Sequence, residues 1–180
     1  MVLSMLTAVC LIFLSLLINS ARGELSNNLL TYSNNYLKFT IQHPSNWMVV
    51  EDKKSHHQTV WFKISSRTMP IFVVQIHHFE SSNDTAIMSL NNTILEYVRE
   101  RQDLLSSLDI DYNPIKQNYV TVDGNLGVKV EFTVGNFFNS DIFTIVNGKL
   151  YELSYHDDTQ TVPQNVKLAS DMFNSFRVFK

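Results

Sequence analysis

GVKVEFTVGNFFNSDIFTIVNGKLYELSYH, residues 127–156, is the stretch whose reading decides the fold. Val128, Val130, Phe132 and Val134 alternate with Lys129, Glu131 and Thr133, the two-residue period of a half-buried strand. Asn147-Gly148 is the strongest type I′ hairpin signal in the chain, because both residues tolerate positive φ. Residues 141–146 lead into it, and residues 149–156 return with Tyr151, Leu153 and Tyr155 on one face. Between these strands, residues 135–139 read as a wider loop. An antiparallel meander is the consequence.

Upstream of the meander, Val120 and Val122 run into Asp123-Gly124, a second turn signal. Earlier still, Ile87, Leu90, Ile94, Tyr97, Val98, Arg101 and Leu105 recur at three- and four-residue steps. This spacing predicts an amphipathic helix over 85–105 with Glu96, Arg99, Glu100 and Asp103 in water. Before it, Leu37, Phe39 and Ile41 alternate with polar residues, and the turn at residues 43–46 precedes a strand at 47–50. Val60, Phe62 and Ile64 form another alternating strand, and residues 71–76 read as a central one. At the far end Pro163 suits the first turn of a helix carrying Val166, Ala169, Met172, Phe173 and Phe176, followed by a short tail strand. The expected class is α+β: an α/β/α sandwich with a largely antiparallel central sheet flanked by helices.

Composition narrows the job. The 180 residues carry 14 basic and 17 acidic side chains, a pI near 6.0, which excludes a generally basic nucleic-acid binder. Residues 2–18 are uncharged and almost wholly apolar, and Ala21-Arg22-Gly23 places small residues at −3 and −1 of a cut after Gly23. Residues 1–23 therefore read as a secretory signal peptide or an N-terminal membrane anchor, and residues 24–180 as a single domain, secreted or extracytoplasmic. The only cysteine, Cys10, lies inside that run, so the remaining chain has no thiol nucleophile and no disulfide.

The residues at both ends of the domain resemble a known family. Tyr32-Ser33-Asn34, then Phe39-Thr40-Ile41-Gln42-His43-Pro44-Ser45-Asn46-Trp47, is similar to the opening of PsbP-like domains, which typically begin Phe-x-Ile-x-Tyr-Pro-x-x-Trp. Tyr151-Glu152-Leu153-Ser154-Tyr155 and Asn174-Ser175-Phe176-Arg177-Val178 resemble the family's closing pattern. These domains are relatives of the extrinsic oxygen-evolving protein of photosystem II. The resemblance spans residues 32–180 and implies an α/β/α sandwich and a non-enzymatic binding or assembly role at a membrane-associated complex. His43 replaces the usual Tyr, the N-terminus is no plastid transit peptide, and residues 24–31 are too few for the long charged arm of the plant proteins. Fold carries over; a role in water oxidation does not.

For chemistry, no nucleophile-elbow or phosphate-loop motif is present, so a hydrolytic enzyme ranks last among the readings. Histidines are more suggestive. His77 or His78, with Glu80, His156 and Asp157 or Asp158, could hold zinc or copper, since imidazole and carboxylate suit these ions. A metal-binding or metal-delivery protein is accordingly the second reading; no organic cofactor is implied. His56-His57 is a further pair. Trp61, Phe137 and Phe138 are the candidate partner anchors, because exposed aromatics commonly anchor interfaces. Asn83 and Asn91 head two Asn-x-Thr sequons, glycosylation sites in a host with the enzymes.

Overall fold

A computed structural model of the chain describes residues 28–52, 58–64, 69–78, 86–108 and 110–179. The apolar N-terminal run, His56, His57, Glu80 and Asn83 lie outside these residues. In chain order the elements are β1 Leu29–Asn34, β2 Phe39–Pro44, β3 Trp47–Asp52, β4 Gln58–Ile64 and β5 Ile71–His78, then helix α1 Ala86–Ser107. They continue with β6 Tyr112–Val122, β7 Asn125–Val134, β8 Phe137–Val146, β9 Lys149–Asp158, helix α2 Val162–Ser175 and β10 Arg177–Val178.

Every strand pairing among the described residues is antiparallel. Seven strands form one sheet in the order β3-β4-β5-β9-β8-β7-β6, and β1-β2-β10 form a second. The three hairpins of the second half close through two-residue turns. Asp123-Gly124 and Asn147-Gly148 have positive φ at both positions, and Gly135 at one.

The loop expected at 135–139 is therefore corrected. Gly135-Asn136 alone makes the turn, and Phe137 and Phe138 already belong to β8, paired with Val134 and Thr133. Strand β6 is also longer than its two valines suggest. It is an edge strand wet along most of its length, so polar Lys116, Gln117 and Asn118 break the alternation that a half-buried strand would show. Pro114 is tolerated there, beside a shift in register before Lys116.

The large sheet carries a core on each face, because successive side chains point to opposite sides. On one face, Phe62, Phe72, Leu153 and Tyr151 meet Phe39 and Ile41 of the small sheet, Met172 of α2 and Phe176 just beyond it. The Tyr151 hydroxyl donates to the Leu37 carbonyl at 3.1 Å, tying the two sheets together. On the other face, Ile94 and Val98 of α1 pack on Val128, Val130, Phe143, Ile145 and Leu150. The α+β class holds, with two antiparallel sheets and two helices among the described residues. One helix packs on each face of the large sheet, and α2 shares its side with the three-stranded sheet.

Candidate functional site, a buried charge cluster beneath α1

Alternation along β9 sends Tyr151, Leu153 and Tyr155 into the first core and Glu152, Ser154 and His156 toward the α1 side. Glu152 is only 3% exposed, a carboxylate in the middle of a sheet. Such a group must be paired. His77 of β5 meets it through Nε2 at 2.9 Å from Oε2, and the Tyr97 hydroxyl donates to the same oxygen at 3.4 Å. Ser154 donates its hydroxyl to Oε1 at 3.2 Å. Arg101, one helical turn beyond Tyr97, places its guanidinium on Glu152 Oε1 and reaches Asp141 Oδ2 at 3.5 Å. It also sits 5.8 Å from the centroid of the Phe143 ring, a cation–π contact.

Burial raises the Glu152 carboxyl, but the His77 hydrogen bond and the Arg101 charge outweigh it and bring it down to about 2. Asp141 is fully buried, and there desolvation wins. Its carboxyl is pushed up to about 7 against the pull of Arg101, with Glu152 adding to the rise. Burial and the charge of Arg101 lower the His156 imidazole to about 4. Burial, with the Glu152 charge behind it, moves the Tyr97 hydroxyl to about 12. Two carboxylates facing one arginine thus differ because only Glu152 also has the His77 imidazole, and because Asp141 is the more deeply buried. The space beside Asp141, Arg101 and Phe143 is about 10 Å³, one water's worth and no room for a substrate.

The histidine–carboxylate constellation expected to hold zinc or copper is not brought together. His77 pairs across the ladder with Leu150, and His156 with Ile71. The six residue steps from Leu150 to His156 separate the two imidazoles by about 20 Å along the strands. His156 Nδ1 lies 2.5 Å from Asn139 Oδ1. Asp157 points to the other face, where its oxygens accept from Tyr155, Asn165, Thr161 and the Asp158 amide. Asp158 caps a turn by accepting from the Gln160 amide at 2.9 Å. His78 closes β5 opposite Lys149. Among the described residues no three His, Cys, Asp or Glu side chains gather where a metal could sit.

Of the candidate anchors, Trp61 shares the α1 face of the sheet, in register with Val50 and Val73, and is partly exposed. Phe137 lies on that face too, 44% exposed, three strands and four residues away, about 20 Å. Phe138 instead packs against the core on the α2 side. Asn91 falls within α1. Sequence reasoning missed Arg101 and Asp141 as members of a site. A charged residue at an inward position of each periodic element was the available signal, and Arg101 does stand on the apolar face of its helix.

No protein-family model matches the sequence, and no curated protein matches it. Its fold is similar to that of cyanobacterial PsbP (CyanoP) from Synechocystis sp. PCC 6803, with a TM-score of 0.64 at 18% identity over 88% of this chain and 95% of that one. A protein from Bacteroides thetaiotaomicron VPI-5482 follows with a TM-score of 0.47 at 12% identity, over 83% of this chain and 48% of its own. The similarity to CyanoP places the chain in a PsbP-like fold. Among the described residues, no helix is long and apolar enough to cross a membrane.

Proposed function

We propose that this chain is a non-catalytic, PsbP-like accessory domain that binds a protein of a membrane-associated, extracytoplasmic complex. One observation carries the reading. The buried ionisable cluster among the described residues, Arg101 with Glu152, Asp141 and His77, spends its bonds on holding α1 to the sheet and opens onto no space for a substrate. The CyanoP-like fold supports it, and the apolar segment at residues 2–18 supplies the route out of the cytoplasm. Contact with the partner runs through the α1 face of the sheet, where Trp61 stands beside Val50 and Val73 and Phe137 marks the far edge. The test is affinity purification of the tagged full chain from native membranes. A reproducible protein partner that is lost with Trp61→Ala supports the accessory role. Stoichiometric zinc or copper with no partner would replace it by metal delivery.

A further inference from the structure

On the face of the large sheet opposite α1, a cleft of about 270 Å³ opens between α2 and strands β6 to β8. Its walls are mostly apolar: Val120, Phe138, Ile142, Val166 and Phe173. Ser140 also lines it. That serine is 3% exposed, and its hydroxyl has no hydrogen-bond partner among the described residues. A buried hydroxyl is normally satisfied, and one left unpaired costs stability that a ligand oxygen would return. The cross-strand neighbours of Ser140 are Glu131 and Tyr155. The Tyr155 hydroxyl is committed to Asp157 at 2.7 Å, and Glu131 takes the Lys129 ammonium at 2.6 Å. Lys129 in turn lies 6.0 Å from the Phe173 ring centroid.

The two charges of the rim therefore form a closed, neutral pair beside the uncharged Thr121, Ser170 and Asn174, and offer a charged ligand no free counter-ion. An apolar slot with one buried, unused hydroxyl selects a matching molecule. We propose that this cleft binds a small, uncharged, mostly apolar molecule whose single hydroxyl or carbonyl oxygen pairs with Ser140. This site is separate from the partner-binding face, which lies across the sheet.

The probe is 2-naphthol, titrated by its fluorescence against the purified full-length chain, with naphthalene and 2-naphthoate as comparisons. Saturable 2-naphthol binding is expected, tighter than that of either comparison. Ser140→Ala should weaken it about three- to tenfold, the value of one hydrogen bond, and leave naphthalene unchanged. Ser170→Trp, from an exposed position at the rim, should fill the cleft and abolish binding of both; Val166→Trp is the second variant should the first lower the melting temperature. The proposal falls if 2-naphthol does not saturate, if 2-naphthoate binds as tightly, if the tryptophan variants bind normally, or if Ser140→Ala changes nothing.

Discussion

Asn165 of α2 donates its side-chain amide to Asp157 of β9 at 2.8 Å, and through this bond the last hairpin is locked to the last helix. The same carboxylate accepts from the Tyr155 hydroxyl at 2.7 Å and from Thr161 Oγ1 at 2.7 Å. Thr161 is the N-cap position of α2 yet makes no side-chain cap bond, so Asp157 organises the helix start in its place. Asp157→Ala strands two buried donors at once. Its cost should be about 3 kcal/mol, read as a lower midpoint in urea unfolding, whereas Asp158→Ala at the exposed turn should cost under about 1 kcal/mol.

Arg101 answers two buried carboxylates. Arg101→Met leaves Glu152 and Asp141 without their shared cation, and the expected loss is about 3–5 kcal/mol in denaturant unfolding. Replacing both carboxylates as well, in Arg101→Met/Asp141→Leu/Glu152→Leu, should recover at least half of it, since an apolar set of similar volume avoids the desolvation of buried ions. If the triple variant is as unstable as the single one, packing of Arg101 rather than charge is what matters.

Stability against pH follows from Asp141. Its folded carboxyl, at about 7, lies above its unfolded value, so the folded state binds the extra proton between roughly pH 4 and pH 7. That contribution is complete below pH 4 and is lost as pH rises through 7. His156, lowered to about 4, works in the opposite direction between about pH 4 and 6.5, where the unfolded imidazole takes the proton. The two largely offset each other up to about pH 6, and above it the fall from Asp141 exceeds the remaining rise from His156, whose unfolded imidazole is still half protonated at pH 6.5. The unfolding free energy should fall by about 0.4 kcal/mol from pH 6.5 to 8, and Asp141→Asn should turn that fall into a rise of about the same size.

Glycine serves two different ends in the meander. Gly148 takes φ 75° in the type I′ turn, where a side chain is strained, and Gly148→Ala should cost about 1 kcal/mol. Gly127 lies inside β7 against β8, where an added Cβ would stand 2.8 Å from the Phe143 carbonyl oxygen. That oxygen belongs to the backbone and cannot swing aside. Gly127→Ala should therefore cost more, about 1–3 kcal/mol, and lower the melting temperature by several degrees.

Much of this architecture is legible in the sequence wherever an element buries one face only. The 85–105 periodicity corresponds to α1 at Ala86–Ser107, and Asn147-Gly148 makes the turn its chemistry demands. Legibility fails at the edges. Strand β1 and most of β6 are wet on both sides, so no alternation marks them, and ladder hydrogen bonds to β2 and β7 hold them instead. The charge cluster was illegible for a related reason. Tyr97 and Arg101 are neighbours on one helix, but Asp141 and Glu152 join them only through strand order and register.

Local patterning thus determined what is local: the period of each half-buried strand, the amphipathic helices and the two-residue turns, because backbone geometry forces side chains to alternate at two or recur at 3.6 residues. Tertiary structure alone decided which of those elements meet. It separated His77 from His156, turned Asp157 from a candidate metal ligand into a helix anchor, and set Arg101 between two carboxylates. The first and last of these depend on contacts between residues 17 to 75 positions apart, and no spacing along the chain encodes such distances.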